Sequence, residues 1–118
     1  MYTELSVLVF DLNRLYREEM RNFLLAAGFK EVDVAATETE TIAMLHRKSY
    51  RYVLIGLSRP LSRGLALAAD AERLQQGARI LGLIEAKDQP LLDNGSVEFI
   101  IKESALPILL ELMAQEGV

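Results

Sequence analysis

Tyr52-Val53-Leu54-Ile55-Gly56-Leu57 runs apolar through successive positions, with no alternation between polar and apolar side chains. A strand with one face in water alternates. An unbroken apolar run suits a strand covered on both faces, which occurs mainly in parallel sheets flanked by helices. Arg79–Ile84 reads the same way, as do Leu5–Phe10 and Val97–Ile101, while Val32–Ala35 is a shorter alternating run. The segments between them carry a helical period. Asn13–Ala27 is expected to bring Leu15, Met20, Phe23, Leu24 and Ala27 onto one face before stopping at Gly28. Thr37 and Glu40 make a capping-box pattern ahead of Ile42 and Leu45, and Leu65–Gln76 repeats Leu67, Ala71 and Leu74 before Gly77. Ser104 is expected to cap a last helix running through Met113, with Pro107 tolerated in its first turn. Between the fourth and fifth runs, Glu85–Asn94 holds Pro90 and an Asn94-Gly95 turn signal, leaving room for one or two helical turns.

Alternating strands and helices predict right-handed crossovers and a doubly wound α/β fold. Ligands of such sheets sit beyond the carboxyl ends of the strands. The decisive positions are therefore Asp11, Leu12, Gly56–Arg59, Ile84, Glu85 and Lys102.

The totals narrow the function. A length of 118 residues suits one domain, 1–118. Thirteen Lys and Arg against seventeen Asp and Glu leave a net charge of -4, with no general attraction to nucleic acid or an anionic membrane. Cysteine is absent, which removes disulfides and thiol chemistry. With neither a basic-then-apolar leader nor a membrane-length apolar run, a cytoplasmic protein is expected.

The order of motifs resembles the receiver domain of bacterial response regulators (CheY-like), from about Leu5 to Met113. "VLVFDLN" is similar to that family's first strand, which normally ends in two adjacent acids. "YRYVLIGLSRP" with Gly64 is similar to the third strand and phosphoacceptor loop, and "GSVEFIIK" to the fifth strand and its lysine. "KES" after that strand and "LYRE" in the first helix resemble receivers of LuxR/NarL-type helix-turn-helix regulators. The resemblance implies a flavodoxin-like five-stranded parallel sheet of order 2-1-3-4-5, here with a shortened fourth helix. It also places the phosphorylated aspartate at Gly56, the acid pair at Asp11 and Leu12, the hydroxyl residue at Ile84 and the switch aromatic at Phe99. Only Asp11 and Lys102 keep the expected chemistry.

Phosphoryl transfer needs a nucleophilic oxygen and carboxylates for a divalent cation. Gly56 has no side chain, and Ser58 faces elsewhere without a base. The expectation is thus no enzyme, no cofactor, no metal, and Asp11 paired with Lys102. Ile84 cannot answer charge, and Phe99 is expected to be held inward, locking the domain in one state.

Arg47, Lys48, Arg51, Arg59 and Arg63 fall in a stretch, Thr41–Ala69, free of Asp and Glu. A six-residue strand of about 20 Å separates the first three from the last two. Ser58, Arg59 and Arg63 beside Gly56 are candidates for a phosphate-bearing ligand such as a nucleotide. No glycine-rich phosphate loop accompanies them. His46 has no ligand-spaced partner, Met20, Met44 and Met113 sit at core-like positions, and Tyr16, Tyr50 and Tyr52 do not interleave with basic residues.

The leading expectation is a degenerate receiver, a phosphorylation-independent protein-interaction or dimerisation module of two-component signalling. Its contact face would be Leu91–Met113, Phe99 included, because Leu106, Ile108, Leu109, Leu110 and Leu112 cannot all point into one core on a single helix. The alternatives are the regulatory half of a helix-turn-helix transcription regulator and a small-ligand sensor at the vacated pocket.

Overall fold

Each of the five apolar runs becomes a strand of one parallel sheet in the computed structural model, which describes residues 6–92 and 97–115. The elements are β1 (Ser6–Phe10), α1 (Arg14–Ala26), β2 (Glu31–Ala35), α2 (Glu38–Arg47), β3 (Tyr52–Leu57), α3 (Leu61–Leu74) and β4 (Arg79–Ile84). A 3-10 segment (Ala86–Leu91), β5 (Phe99–Ile101), a short 3-10 turn (Lys102–Ser104) and α4 (Ala105–Gln115) complete the described residues. Strand order is β2-β1-β3-β4-β5. Leu5, the Asn94-Gly95 turn and the chain ends lie outside the described residues.

The apolar runs are explained by burial on both faces. Every residue of β1 and β3 is buried. On one face, Val7, Val9, Leu54, Leu81 and Ile100 pack against Met20 and Leu24 of α1 and Leu109 and Met113 of α4. On the other, Leu8, Val53, Ile55, Ile80 and Ile84 pack against Leu45 of α2 and Leu67, Ala68 and Ala71 of α3.

Local chemistry sets the helix ends. The Asn13 side chain accepts the Tyr16 N–H at 3.0 Å, and Gly28, at φ 109°, lets the Phe29 N–H close back on the Leu24 carbonyl at 3.1 Å. Thr37 Oγ1 accepts the Glu40 N–H at 3.1 Å while Glu40 Oε1 takes the Ala36 N–H at 2.6 Å. Pro107 falls in the first turn of α4, where its missing N–H is not needed.

Several expectations require correction. Leu15 does not join the inner face of α1: it is half a turn out of phase with Leu24 and lies 79% exposed. α3 begins at Leu61 instead of Leu65, because Leu61 is itself buried and starts the helix directly after Pro60. It ends at Leu74, where Gln75 leaves the helix to bond elsewhere. Buried Gln75 gives its amide to the carbonyls of Leu45 (2.8 Å) and Lys48 (2.7 Å) and accepts the Tyr50 N–H at 2.9 Å. One side chain thus fastens the end of α3 to the end of α2 and the entry to β3.

The two basic groups lie at opposite ends of β3, as its length requires. At the entry end, Lys48 pairs with Glu31 (2.8 Å) and Asp33 (3.0 Å), and the Tyr50 hydroxyl donates to Asp33 at 2.8 Å. Burial pushes the Asp33 carboxyl up, but hydrogen bonds from Tyr50 and Lys48 outweigh it and hold the group below the usual carboxylate value. His46 is exposed, and Met20 and Met113 are buried.

Candidate functional site

At the carboxyl ends of the strands, Asp11 and Gly56 meet. Parallel pairing of β1 with β3 (Phe10 opposite Ile55) carries Asp11, the residue after β1, alongside Gly56. A Cβ added to Gly56 would overlap Asp11 Oδ2 outright, lie 2.7 Å from its Cγ and 3.1 Å from the Phe10 carbonyl oxygen. The volume above Gly56 is therefore not vacant, as its missing side chain suggests; the Asp11 carboxylate fills it.

That carboxylate is almost fully enclosed. Lys102, the first residue after β5, brings Nζ to 2.6 Å from Asp11 Oδ2, with the two side chains 12% and 4% exposed. Oδ2 receives no well-aligned hydrogen bond, so charge attraction holds this contact. Asp11 Oδ1 accepts the Asn13 N–H at 2.8 Å, and Arg17 Nη1 donates to the Asp11 carbonyl at 2.8 Å. The ammonium of Lys102 also lies 4.7 Å from the centre of the Tyr16 ring, within cation–π range. Burial, and after it the negative charge of Asp11, pushes the Tyr16 hydroxyl well above the usual phenol range. The expected Asp11–Lys102 pair is present and extends to α1 through Tyr16.

Leu12 does not pack: it follows the buried Asp11 and points outward, 65% exposed. Ile84 faces the apolar layer shared with α3 and is fully buried, so the residue that β4 presents to the strand ends is Glu85. Asp11, Leu12, Tyr16, Ser58, Glu85, Lys102 and Leu106 line a cleft of about 570 Å³ between the ends of α1 and α4. Glu19 and Glu103 complete its acidic rim.

Arg59 and Arg63 each hold a carboxylate of the chain itself, while their own side chains stay 65% and 70% exposed. Arg59 Nε holds Asp88 Oδ1 at 2.8 Å, with the Asp88 side chain 2% exposed, and Arg63 Nη2 holds Glu38 Oε1 at 2.7 Å. The space they share with Gly56 and Ser58 measures about 90 Å³. Ligand pockets usually measure about 300 Å³ or more, so a nucleotide does not fit there. Asp88 was not singled out in the sequence because it reads as an ordinary turn residue beside Pro90. Its only signal is a place in the first turn of a short helix.

The divalent cation implied by the fold family is not supported by the residues present. Leu12 and Gly56 offer no side-chain oxygen, and Asp11 Oδ2 is occupied by the Lys102 ammonium. Among the described residues, no cluster of three or more His, Asp or Glu is arranged to hold a metal ion.

The contact face also changes composition. Leu109 belongs to the core, 0% exposed, because it shares the inner stripe of α4 with Ala105 and Met113. Leu106, Ile108 and Leu112 pack partly against the same core, leaving Leu110 outward at 43%. Phe99 is not held inward. Strand alternation puts Ile100 against the α4 layer and Phe99 on the opposite side of the edge strand, 36% exposed. Leu91, at the end of the 3-10 segment Ala86–Leu91, is 54% exposed.

No protein-family model matches the chain. No curated protein matches it either. Solved structures do. A response regulator receiver domain protein from Methanospirillum hungatei superposes with a TM-score of 0.77 at 21% identity, covering 95% of this chain and 92% of its own. The response regulator TrrA from Thermotoga maritima, with Mg²⁺ and BeF bound, gives 0.78 at 22% identity, covering 94% and 97%. TrrA in complex with the histidine kinase ThkA gives 0.77 at 23%, covering the same shares. Taken with the strand order and the position of Lys102, these likenesses establish that the chain has the flavodoxin-like fold of a response-regulator receiver domain.

Proposed function

We propose that this chain is a receiver-type signalling domain that works through protein contacts and accepts no phosphoryl group. The observation that carries the reading is the Asp11 carboxylate seated over Gly56 and bound to Lys102. The position that supplies the acceptor in the fold family has no side chain, and its volume and its lysine are both engaged. An attacking oxygen and a second metal-binding carboxylate are missing together, so the domain is not an enzyme and needs no cofactor.

The like-folded TrrA forms a complex with a histidine kinase, which supports a protein partner. Outward Phe99 and Leu91 favour the side of the sheet carrying the shortened crossover as the contact or self-association surface. In this reading the domain is cytoplasmic; no helix among the described residues is long and apolar enough to cross a membrane. The "KES" and "LYRE" motifs favour kinship with LuxR/NarL-type regulators, in which the domain would regulate transcription without touching DNA itself.

Amide NMR spectra recorded with and without Mg²⁺ and beryllium fluoride test the proposal. Unchanged resonances at Asp11, Gly56 and Lys102 are expected. Saturable shifts clustered at those residues would refute it.

A further inference from the structure

We infer that the cleft between α1 and α4 is a docking groove for a basic, amphipathic helical segment of a protein partner, whose apolar side chains meet Leu12, Leu15 and Leu110 and whose cations meet Glu19 and Glu85. This rests on the reading that the domain works through protein contacts, and it adds a second surface, apart from Phe99 and Leu91, with a partner of stated chemistry.

Both walls of the cleft expose apolar side chains. Leu12 lines it at 65% exposure. Leu15, 79% exposed, stands one turn before Glu19, which also lines the cleft, so the two share a stripe of α1. On the facing helix, Leu110 stands one turn after the cleft residue Leu106 and is 43% exposed. Three of the six exposed large apolar side chains among the described residues thus gather around one cleft, which marks a contact surface where scattered single leucines would not.

Charge decides the character of the partner. Four carboxylates, Asp11, Glu19, Glu85 and Glu103, line the cleft against one cation, Lys102, an excess of three negative charges that repels phosphate and attracts a cation. Lys102 is taken by Asp11, and Glu103 Oε1 accepts the Ala86 N–H at 3.0 Å, but Glu19 and Glu85 have no side-chain partner among the described residues. After burial and Asp11, the charges of Glu19 and Glu103 push the Tyr16 hydroxyl further up, so the fields of these acids converge here. That hydroxyl, on a residue lining the cleft, is buried without a hydrogen-bond partner among the described residues, a group of the kind that a bound donor satisfies.

The acids do not hold a metal ion: among the described residues, no three are grouped to do so. The cation therefore comes attached to an apolar body. The cleft of about 570 Å³ has room for several side chains, and Leu15 and Leu110 carry the apolar surface past its mouth, further than a small molecule covers. A helix with apolar residues at i, i+3 or i+4, and i+7, flanked by Lys or Arg, matches both features. A second copy of the chain, docked through the same face, would set this group of acids against itself, and like charges across an interface oppose binding.

Peptide titrations followed by amide NMR test the inference. The probe is a synthetic helical peptide of Leu and Lys with that spacing; one control carries Glu in place of every Lys, and another has the same residues in scrambled order. Saturable shifts at Leu12, Leu15, Glu19, Glu85 and Leu106 are expected with the basic helix and none with the controls. Leu12→Asn/Leu15→Asn alters exposed side chains only, so it should melt like the parent while binding about tenfold or more weakly. Glu19→Gln/Glu85→Gln should weaken binding several-fold at low salt and flatten its salt dependence.

No saturable binding, equal binding of either control, or variants that bind as the parent does would overturn the inference. So would a parent chain that is dimeric in light scattering and becomes monomeric in Leu12→Asn/Leu15→Asn, because the face would then belong to a second copy. The beryllium fluoride spectra involve no peptide. A chain that responds to beryllium fluoride and still binds the basic helix loses the phosphoryl reading alone, and a chain silent to both loses this inference alone.

Discussion

Lys102→Met removes the charge facing Asp11 and leaves a carboxylate whose side chain is 4% exposed. Breaking a buried ion pair from one side costs about 3–5 kcal/mol, because the remaining charge is neither solvated nor paired. Asp11 keeps one hydrogen bond from the Asn13 N–H and borders the open cleft, which favours the lower end, about 3 kcal/mol. For 118 residues the unfolding entropy is about 0.25 kcal/mol per kelvin, so Tm should fall by about 12 °C. Differential scanning calorimetry and urea unfolding at neutral pH, each at low and high salt, measure this. An enclosed pair responds little to salt, whereas the exposed Arg14–Glu18 pair, 2.8 Å apart and 79% and 56% exposed, is screened and contributes under about 1 kcal/mol. Asp11→Asn combined with Lys102→Met removes both charges and should recover most of the loss. A single-variant cost under about 1 kcal/mol, or one that disappears in high salt, would refute the reasoning, because the pair would then behave as a surface contact.

Two further predictions concern the core and the alkaline limit. Leu109→Ala should destabilise the domain by about 2–5 kcal/mol in urea unfolding, since Leu109 is fully enclosed, while Leu110→Ala changes stability little; a reversed ranking would return Leu109 to the surface. Tyr16 and Tyr50 both have phenol pKa values raised above the ordinary 10.0, mainly by burial, with the Asp11 charge next for Tyr16 and the Asp33 hydrogen bond next for Tyr50. The unfolded chain therefore releases these protons first. The stabilising effect is complete below pH 10 and is lost as pH rises towards the folded-state values, so Tm should fall above about pH 10 and fall less steeply in Tyr50→Phe. Equal slopes for the parent and Tyr50→Phe would show that the Tyr50 phenol is not raised in the folded protein.

Five strands, their parallel pairing and the brevity of the fourth crossover were legible in the sequence, because each follows from local pattern. An unbroken apolar run needs cover on both faces, and Pro90 in a short segment leaves no room for a full helix. The Asn13 and Thr37 caps were equally local. The resemblance in motif order, not local pattern, pointed to Gly56 as the acceptor position and to Asp11 and Lys102 as charged partners.

Only the tertiary structure decided what occupies the site. Whether Gly56 opens a pocket depends on the register that sets β1 beside β3, a relation between residues more than forty positions apart in the chain. The same holds for Arg59, whose guanidinium looks free in the sequence and is spent on Asp88 across two loops, and for Gln75, whose three partners come from α2 and the approach to β3. Phe99 and Leu109 are alike in the sequence as large apolar residues near the end of the domain. One lies on the uncovered side of an edge strand and the other on the inner stripe of a helix. Composition and periodicity fix which residues must be buried somewhere; the packing of one element on another determines which side chain fills a given space.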